Sequence, residues 1–203
     1  VNEHYFTASP SGSVQERTRR VLVCGTEYEV VTASGVFSAD RLDRGTRVLL
    51  DHVPQPPAHG TFLDLGCGWG PIALAMAQAS PQALVLATDV NERAVELTER
   101  NAAGAGLTNV SPYLAGDLQR RLTQSGRRLD LIWSNPPVRV GKRALHDLLT
   151  TWLSLLSEHG EAWLVVNKNL GADSLTRWLV EEGWQAGKSA SAKGFRVLRV
   201  ARS

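Results

Sequence analysis

Asn135-Pro136-Pro137 closes an apolar run over residues 129–134 and concentrates more potential chemistry than any other tripeptide in the chain. Pro136 fixes its own φ, lacks an N–H and keeps Asn135 out of the helical region. An amide oxygen and a nearby backbone carbonyl are thereby held in a set pose, and both accept hydrogen bonds. Two converging acceptors suit an exocyclic amino group, because they take its hydrogens and leave its lone pair free. Standing alone, the same tripeptide is also a common turn.

A second constellation lies upstream: Phe62-Leu63-Asp64-Leu65-Gly66-Cys67-Gly68-Trp69-Gly70, then Pro71 and small apolar residues through Ala79. It reads as strand, tight glycine loop and buried helix. Alternate glycines let a backbone approach a ligand closely and adopt angles closed to other residues. A dinucleotide fingerprint needs a glycine where this chain has Pro71, and Asp64 repels a pyrophosphate. The same carboxylate attracts an ammonium group. A strand predicted over 83–88 ends in Asp89, at the spacing of about 20 residues where an acid meets ribose hydroxyls. A strand predicted over 110–115 ends in Gly116-Asp117, where a carboxylate could accept from an adenine amino group. Amine, ribose and adenine without phosphates describe S-adenosylmethionine. Simpler roles stand beside these: Asp89 can cap the helix that follows, Asp117 can shape a turn, and Cys67 reads as a small loop residue rather than a nucleophile.

The elements that must position these groups follow from periodicity. Two β-like runs, 20–24 and 27–32, flank Gly25-Thr26 as a hairpin turn. Residues 35–38 read as a loop, 45–53 as a short helix, and 54–60, with three prolines, as a linker. From residue 61 onward strands and helices alternate, which predicts a parallel sheet with helices on both faces. Asn91 caps a helix to residue 103. Residues 141–158 carry Leu145, Leu149, Trp152 and Leu156 on one helical face, with Gly160 as its stop. A buried strand over 162–166, a helix over 173–182 and β runs over 184–189 and 195–200 complete the order. The division expected is an extension over 1–58 and an α/β domain over 59–203. Ligands of such sheets sit beyond the carboxyl ends of the strands, so Asp64, Asp89, Asp117 and Asn135 are expected to share one pocket.

These motifs, in this order, resemble the class I S-adenosylmethionine-dependent methyltransferases. More closely, the chain resembles the methyltransferase small domain group, which includes ribosomal RNA guanine-N2 methyltransferases. His4-Tyr5-Phe6, Gly35-Val36-Phe37-Ser38, Gly45-Thr46, Asn135 to Lys142 and Gly194-Phe195-Arg196-Val197-Leu198 carry that closer likeness, over essentially the whole chain. The resemblance implies a Rossmann-like, seven-stranded sheet, five strands parallel and closed by an antiparallel pair, with a small N-terminal β-hairpin extension. It implies S-adenosylmethionine held by Phe37, Asp64, Gly66, Cys67, Gly68, Gly70, Asp89, Val90, Asp117 and Asn135. Asn135, Pro136 and Pro137 form the implied catalytic lip, and ribosomal RNA or a ribosomal subunit is the implied partner. Relatives acting on amino nitrogens often carry an aromatic after the second proline, where this chain has Val138. Phe37 reads either as core or as a cover over the cofactor.

Composition bounds the rest. At 203 residues, 43% hydrophobic and 21% charged, the chain suits one soluble domain with a full core. No uncharged apolar stretch approaches the ~20 residues of a membrane span, and no secretory signal is visible. Cys24 and Cys67 lack metal or redox spacing, so a cytoplasmic protein is expected. The five histidines show no ligand spacing and no metal is expected. A net charge of +2 permits nucleic-acid binding without demanding it. Arg139, Lys142 and Arg143, just past the prolines, are candidates for phosphate contact, as are Arg17, Arg19 and Arg20. Adenine N6 or a glutamine amide satisfies the same two acceptors as guanine N2. A nicotinamide oxidoreductase is disfavoured by Asp64 and Pro71, and a non-catalytic RNA-binding protein by the full set of acids and glycines.

Overall fold

A computed structural model describes residues 15–38 and 41–203, so the His4-Tyr5-Phe6 motif lies outside the described residues. The chain opens with a hairpin of β1 (Glu16–Val23) and β2 (Thr26–Ala33). Its turn is Cys24-Gly25, one residue earlier than expected, with φ of 47° and 83°. Two positive φ angles make the turn whose twist matches paired strands, and glycine takes its second position without strain. Then come α1 (Arg44–His52), β3 (Thr61–Leu65), α2 (Pro71–Ala79), β4 (Leu84–Asp89) and α3 (Glu92–Gly104). The remainder is β5 (Val110–Leu114), α4 (Ala115–Ser125), β6 (Leu129–Ser134), α5 (Lys142–Leu153), β7 (Leu156–Asn167), α6 (Ala172–Glu181), β8 (Trp184–Ala192) and β9 (Phe195–Arg202).

Seven strands form one sheet in the order β5-β4-β3-β6-β7-β9-β8. β3 to β7 are mutually parallel, and β9 runs antiparallel to both β7 and β8. After β5 the chain returns to the other side of β3, so the order reverses between β3 and β6, where ligands of open α/β sheets bind. β6 shows why the sheet is covered on both faces: Leu131 and Trp133 pack with Val48, Ile72 and Met76 of α1 and α2, while Ile132 packs with Leu149 and Trp152 of α5. Runs buried on both faces are the signature of parallel strands. The hairpin joins the first layer, since Val23, Tyr28 and Val30 pack on Trp69, Leu74 and Leu97.

Two stretches differ from the sequence reading. Residues 115–125 form α4, which was not anticipated, because Leu118 and Leu122 bury one face and Gly126 at φ 66° ends it. The helix expected over 141–158 stops at Leu153, and residues 156–167 form a long strand instead. Gly160 is no helix stop. It lies in a bulge of β7, where an added Cβ would sit 2.6 Å from the Leu129 carbonyl oxygen. Arg128 and Arg202 donate to the Ser154 carbonyl at 3.0 and 2.9 Å, satisfying an acceptor the ending helix releases.

Candidate active site

The glycine loop leaves β3 with Gly66, Gly68 and Gly70 at φ of 81°, 57° and 94°. Gly70 precedes Pro71 at the first position of α2, where a proline has no lost N–H to satisfy. A Cβ on Gly70 would meet Thr98 at 3.0 Å, so this glycine lets α2 and α3 approach. A Cβ on Gly66 would meet nothing within 4 Å, which leaves that backbone open to a ligand. The loop is fixed by hydrogen bonds: the Gly66 and Cys67 N–H groups donate to the Thr88 carbonyl at 2.8 and 3.0 Å, and the Gly68 N–H to Asp89 Oδ2 at 3.1 Å. Asn101 Nδ2 donates to the Trp69 carbonyl at 2.8 Å and also to Val31 of the hairpin at 2.9 Å.

Asp64 lies fully buried beneath this loop. Its Oδ2 accepts from the Ala73 N–H at 2.9 Å, while Oδ1 has no partner. Burial pushes its pKa up to about 8, the Ala73 bond opposes that, and the nearby Asp89 charge adds to it. A buried carboxyl with one orphaned oxygen is the environment that a cationic ligand would relieve. The Cys67 thiol is pushed well up by burial and sits in the loop as a small apolar residue.

Asp89 spends both oxygens on backbone: Oδ2 on Gly68 and Oδ1 on the Asn91 N–H at 3.0 Å. Burial raises its pKa, and these bonds with that of Val90 pull it back. Asn91, not Asp89, caps α3, accepting from the Arg93 N–H. Its Nδ2 also donates to the Gly35 carbonyl at 3.0 Å and holds the Phe37 loop beside the glycines. Phe37 and Val90 remain half exposed, at 50% and 45%. Asp117 departs from the expected strand end: it sits in the first turn of α4 and is ion-paired with Arg120.

The Asn-Pro lip follows β6. Leu65 and Ser134 are register partners, and Ser134 Oγ donates to the Leu65 carbonyl at 2.7 Å, so the lip and the glycine loop leave adjacent strands at the same edge. Asn135 Nδ2 donates to Asp43 Oδ2 at 2.9 Å and to Thr46 Oγ1 at 3.1 Å. Asp43 is the N-cap of α1, and the same oxygen accepts from the Gly45 and Thr46 N–H groups at 2.6 and 3.1 Å. A carboxylate only accepts, so it must face the NH₂ of Asn135 and leaves the amide oxygen for other partners. Gly45 makes room for this contact: a Cβ there would lie 3.0 Å from Phe195 and 3.3 Å from Asn135 Nδ2. Pro137, at φ −75° and ψ 72°, centres a three-residue turn in which the Val138 N–H donates to the Pro136 carbonyl at 2.8 Å. That bond aims the carbonyl and uses one of its two lone pairs.

Phe37, Asp43, Thr46, Gly66, Gly68 and Asn135 line one cleft, together with Cys67, Trp69, Pro71 and Ile72. The structure therefore joins the glycine loop, Phe37 and Asn135, keeps the buried Asp64 and the half-buried Asp89 as supports, and leaves Asp117 on a helix surface. Arg139, in a single turn over Val138–Val140, and Lys142, at the start of α5, are exposed beyond the lip. Asp43 and Thr46 were missed as site residues. An acid before a helix start is an ordinary cap signal, and nothing local ties such a cap to Asn135. Among the described residues no His, Cys, Asp or Glu group could hold a metal, and no helix is long and apolar enough to cross a membrane.

Comparisons with known proteins agree with this fold. The methyltransferase small domain family matches residues 27–199. Uncharacterized protein YbxB of Bacillus subtilis is 34% identical over 98% of both chains. Ribosomal RNA small subunit methyltransferase C of Pseudomonas entomophila is 33% identical over 98% of this chain, which spans 58% of that protein's length. A solved structure, the T. thermophilus 16S rRNA N2 methyltransferase in complex with AdoMet and guanosine, superposes with a TM-score of 0.78 at 25% identity, covering 96% of this chain and 52% of that one. With its seven-stranded sheet, glycine loop and Asn-Pro lip at one edge, the chain belongs to the methyltransferase small domain family.

Proposed function

We propose that this chain transfers a methyl group from S-adenosylmethionine to an exocyclic amino nitrogen, that of guanine N2 in ribosomal RNA. The observation that carries the reading is the Asn135 amide, whose NH₂ is committed to Asp43 and Thr46 and whose oxygen is left for the cleft. When bound, S-adenosylmethionine supplies a methyl group activated by its sulfonium. Asp64, the open backbone at Gly66 and Gly68, and the half-exposed Phe37 and Val90 are the residues that would hold it. The orphaned Asp64 oxygen fits a cation and disfavours a pyrophosphate.

Asn135 Oδ1 and the free lone pair of the Pro136 carbonyl accept from the two N–H groups of the amine. An aromatic amine is a poor nucleophile because its lone pair is delocalised into the ring. Two fixed acceptors favour the pyramidal form and point the lone pair away from themselves, toward the glycine loop. This is preorganised electrostatic stabilisation combined with orientation. Asn135 cannot act as a base, because an amide does not hold the proton; the proton leaves to water.

Ribosomal RNA enters on the names of the relatives, two of which act on it and one of which was solved with guanosine. The test is incubation with methyl-labelled S-adenosylmethionine and ribosomal RNA, free or in assembled subunits, followed by mass spectrometry of the nucleosides and of peptides from the subunit proteins. N2-methylguanosine is expected. Label on adenine N6 or a protein glutamine would keep the lip chemistry and replace the substrate, and no label in any of them would overturn the reading.

A further inference from the structure

Exposed cations gather on one flank of the sheet's ligand edge. On the glycine-loop side Asp64 lies within β3, Asp89 ends β4 and Asp117, paired with Arg120, opens α4. Beyond the lip, the loops after β6 and β7 and the β8–β9 turn carry Arg139, Lys142, Lys168 and Lys193, all exposed. The chain has only four lysines among 22 basic residues, and three of them stand here. These three and Arg139 have no ion-pair partner among the described residues, whereas Arg196 is paired with Asp173 and Arg199 with Glu161 in the same half of the sheet.

The loops that carry them are physically joined to the lip. The Lys168 N–H donates to the Gly194 carbonyl at 2.9 Å, so the turn after β7 and the Lys193-Gly194 turn touch. Phe195, next in that turn, packs on Gly45 beside Asn135 Nδ2. Lys193 has φ 50°, an angle Asn and Gly take more readily, so a long cation occupies a turn position that does not favour it. On the other flank Arg139 and Lys142 follow Asn135 directly in sequence.

We propose that Lys142, Lys168 and Lys193, with Arg139, form a rim that grips the RNA backbone on both sides of the nucleotide presented to Asn135. This rests on the reading of the cleft as an RNA-modifying site. A base whose amino group reaches the lip is unpaired and out of its stack, which leaves single-stranded phosphates on either side of it. Flexible ammonium groups on four-carbon stems meet such phosphates as point charges, without the fixed fork geometry of arginine. The rim selects for backbone and position, and base identity is left to the lip.

The test is fluorescence anisotropy of a labelled single-stranded RNA of mixed sequence, about 12 nucleotides, titrated with the full chain over a range of salt. Each phosphate contact contributes about 0.7 to the slope of log affinity against log salt on single strands. The triple variant Lys142→Gln, Lys168→Gln, Lys193→Gln is expected to lower that slope by about 2 and to weaken binding about 10²-fold at 0.1 M salt. An equal-charge control, Arg121→Gln, Arg127→Gln, Arg177→Gln, removes exposed arginines elsewhere and is expected to leave the slope unchanged. An unchanged slope in the lysine variant, or an equal fall in the control, would overturn the rim. Lys193→Asn alone is expected to weaken RNA binding while raising the melting temperature, and weakening with unfolding would count against it. Affinity for S-adenosylmethionine is read separately by calorimetry. Its absence in the unaltered chain would remove the methyltransferase reading and leave the salt result to judge the rim.

Discussion

The glycine-loop half of the sheet edge, after β3 and β4, and the Asn-Pro half, after β6, are held by different means. In the first, backbone N–H groups of the loop bond to the neighbouring strand and to Asp89, and Asp64 is fully buried beneath them. In the second, one amide is held by a carboxylate 92 residues earlier in the chain, and the groups beyond it are exposed cations. A donor of fixed shape suits a rigid, preformed cradle. A large, variable substrate suits a few fixed acceptors with mobile charges around them. The difference separates binding of the donor from orientation of the acceptor, and each half can be broken without the other.

The largest effect belongs to the acceptor half. Asn135→Ala is expected to lower the single-turnover methyl-transfer rate by about 10²–10³, the usual loss on deleting one preorganised polarising group. Affinity for S-adenosylmethionine is expected to be retained, and a rate equal to that of the unaltered chain would remove Asn135 from the mechanism.

Next comes the donor half. Asp64→Asn removes the buried carboxyl that a cationic donor would favour in its charged form, and is expected to weaken donor binding by about 10–100-fold, measured by calorimetry. The same residue makes a pH signature. Its folded pKa of about 8 lies above the ordinary carboxylate value, so the native state holds a proton that the unfolded chain has released. Its contribution to stability is full below about pH 4 and is lost as pH rises toward 8. Melting temperature of the free chain should therefore fall across that window, and Asp64→Asn should flatten the fall. A cationic ligand favours the carboxylate, so donor affinity should rise over the same range.

Smaller again is the clamp that joins the halves. Asp43→Ala removes the α1 cap, worth roughly 1–2 kcal/mol, and frees the Asn135 amide to turn. Transfer should fall about tenfold, as expected for loss of orientation by a group that does not touch the amine. Asp43→Asn keeps an oxygen in that position and should restore most of both properties. Recovery of stability without recovery of rate would mean that Asp43 acts only as a cap. The smallest effect is that of Asp117→Ala. Its exposed pair with Arg120 is worth about 0–1 kcal/mol, and donor affinity should stay within about twofold, a change of roughly 0.4 kcal/mol.

What could be read from sequence follows the same division. Gly66, Gly68, Gly70, Asp64 and Asp89 are legible because the geometry they serve is local backbone geometry, written in spacing. The lip was legible as a tripeptide, and its adjacency to the loop followed from the rule for open sheets. The clamp was not, because Asp43 carries an ordinary cap signal and its bond to Asn135 exists only once α1 packs beside β6. Residues 115–125 were missed because a strand end in Gly-Asp reads as a turn, and the two leucines that bury α4 lie past it. Leu156 continued the helical face of α5 by period alone, while pairing with Leu129 made it the start of a strand.

The central claim is that one cleft holds a donor site on the glycine loop and an acceptor lip at Asn135. Calorimetric titration of S-adenosylmethionine into the unaltered chain, Asn135→Ala and Asp64→Asn tests it most directly. The account predicts one site per chain, with affinity kept in the first variant and weakened in the second. No binding to the unaltered chain, or an equal loss in both variants, would contradict it.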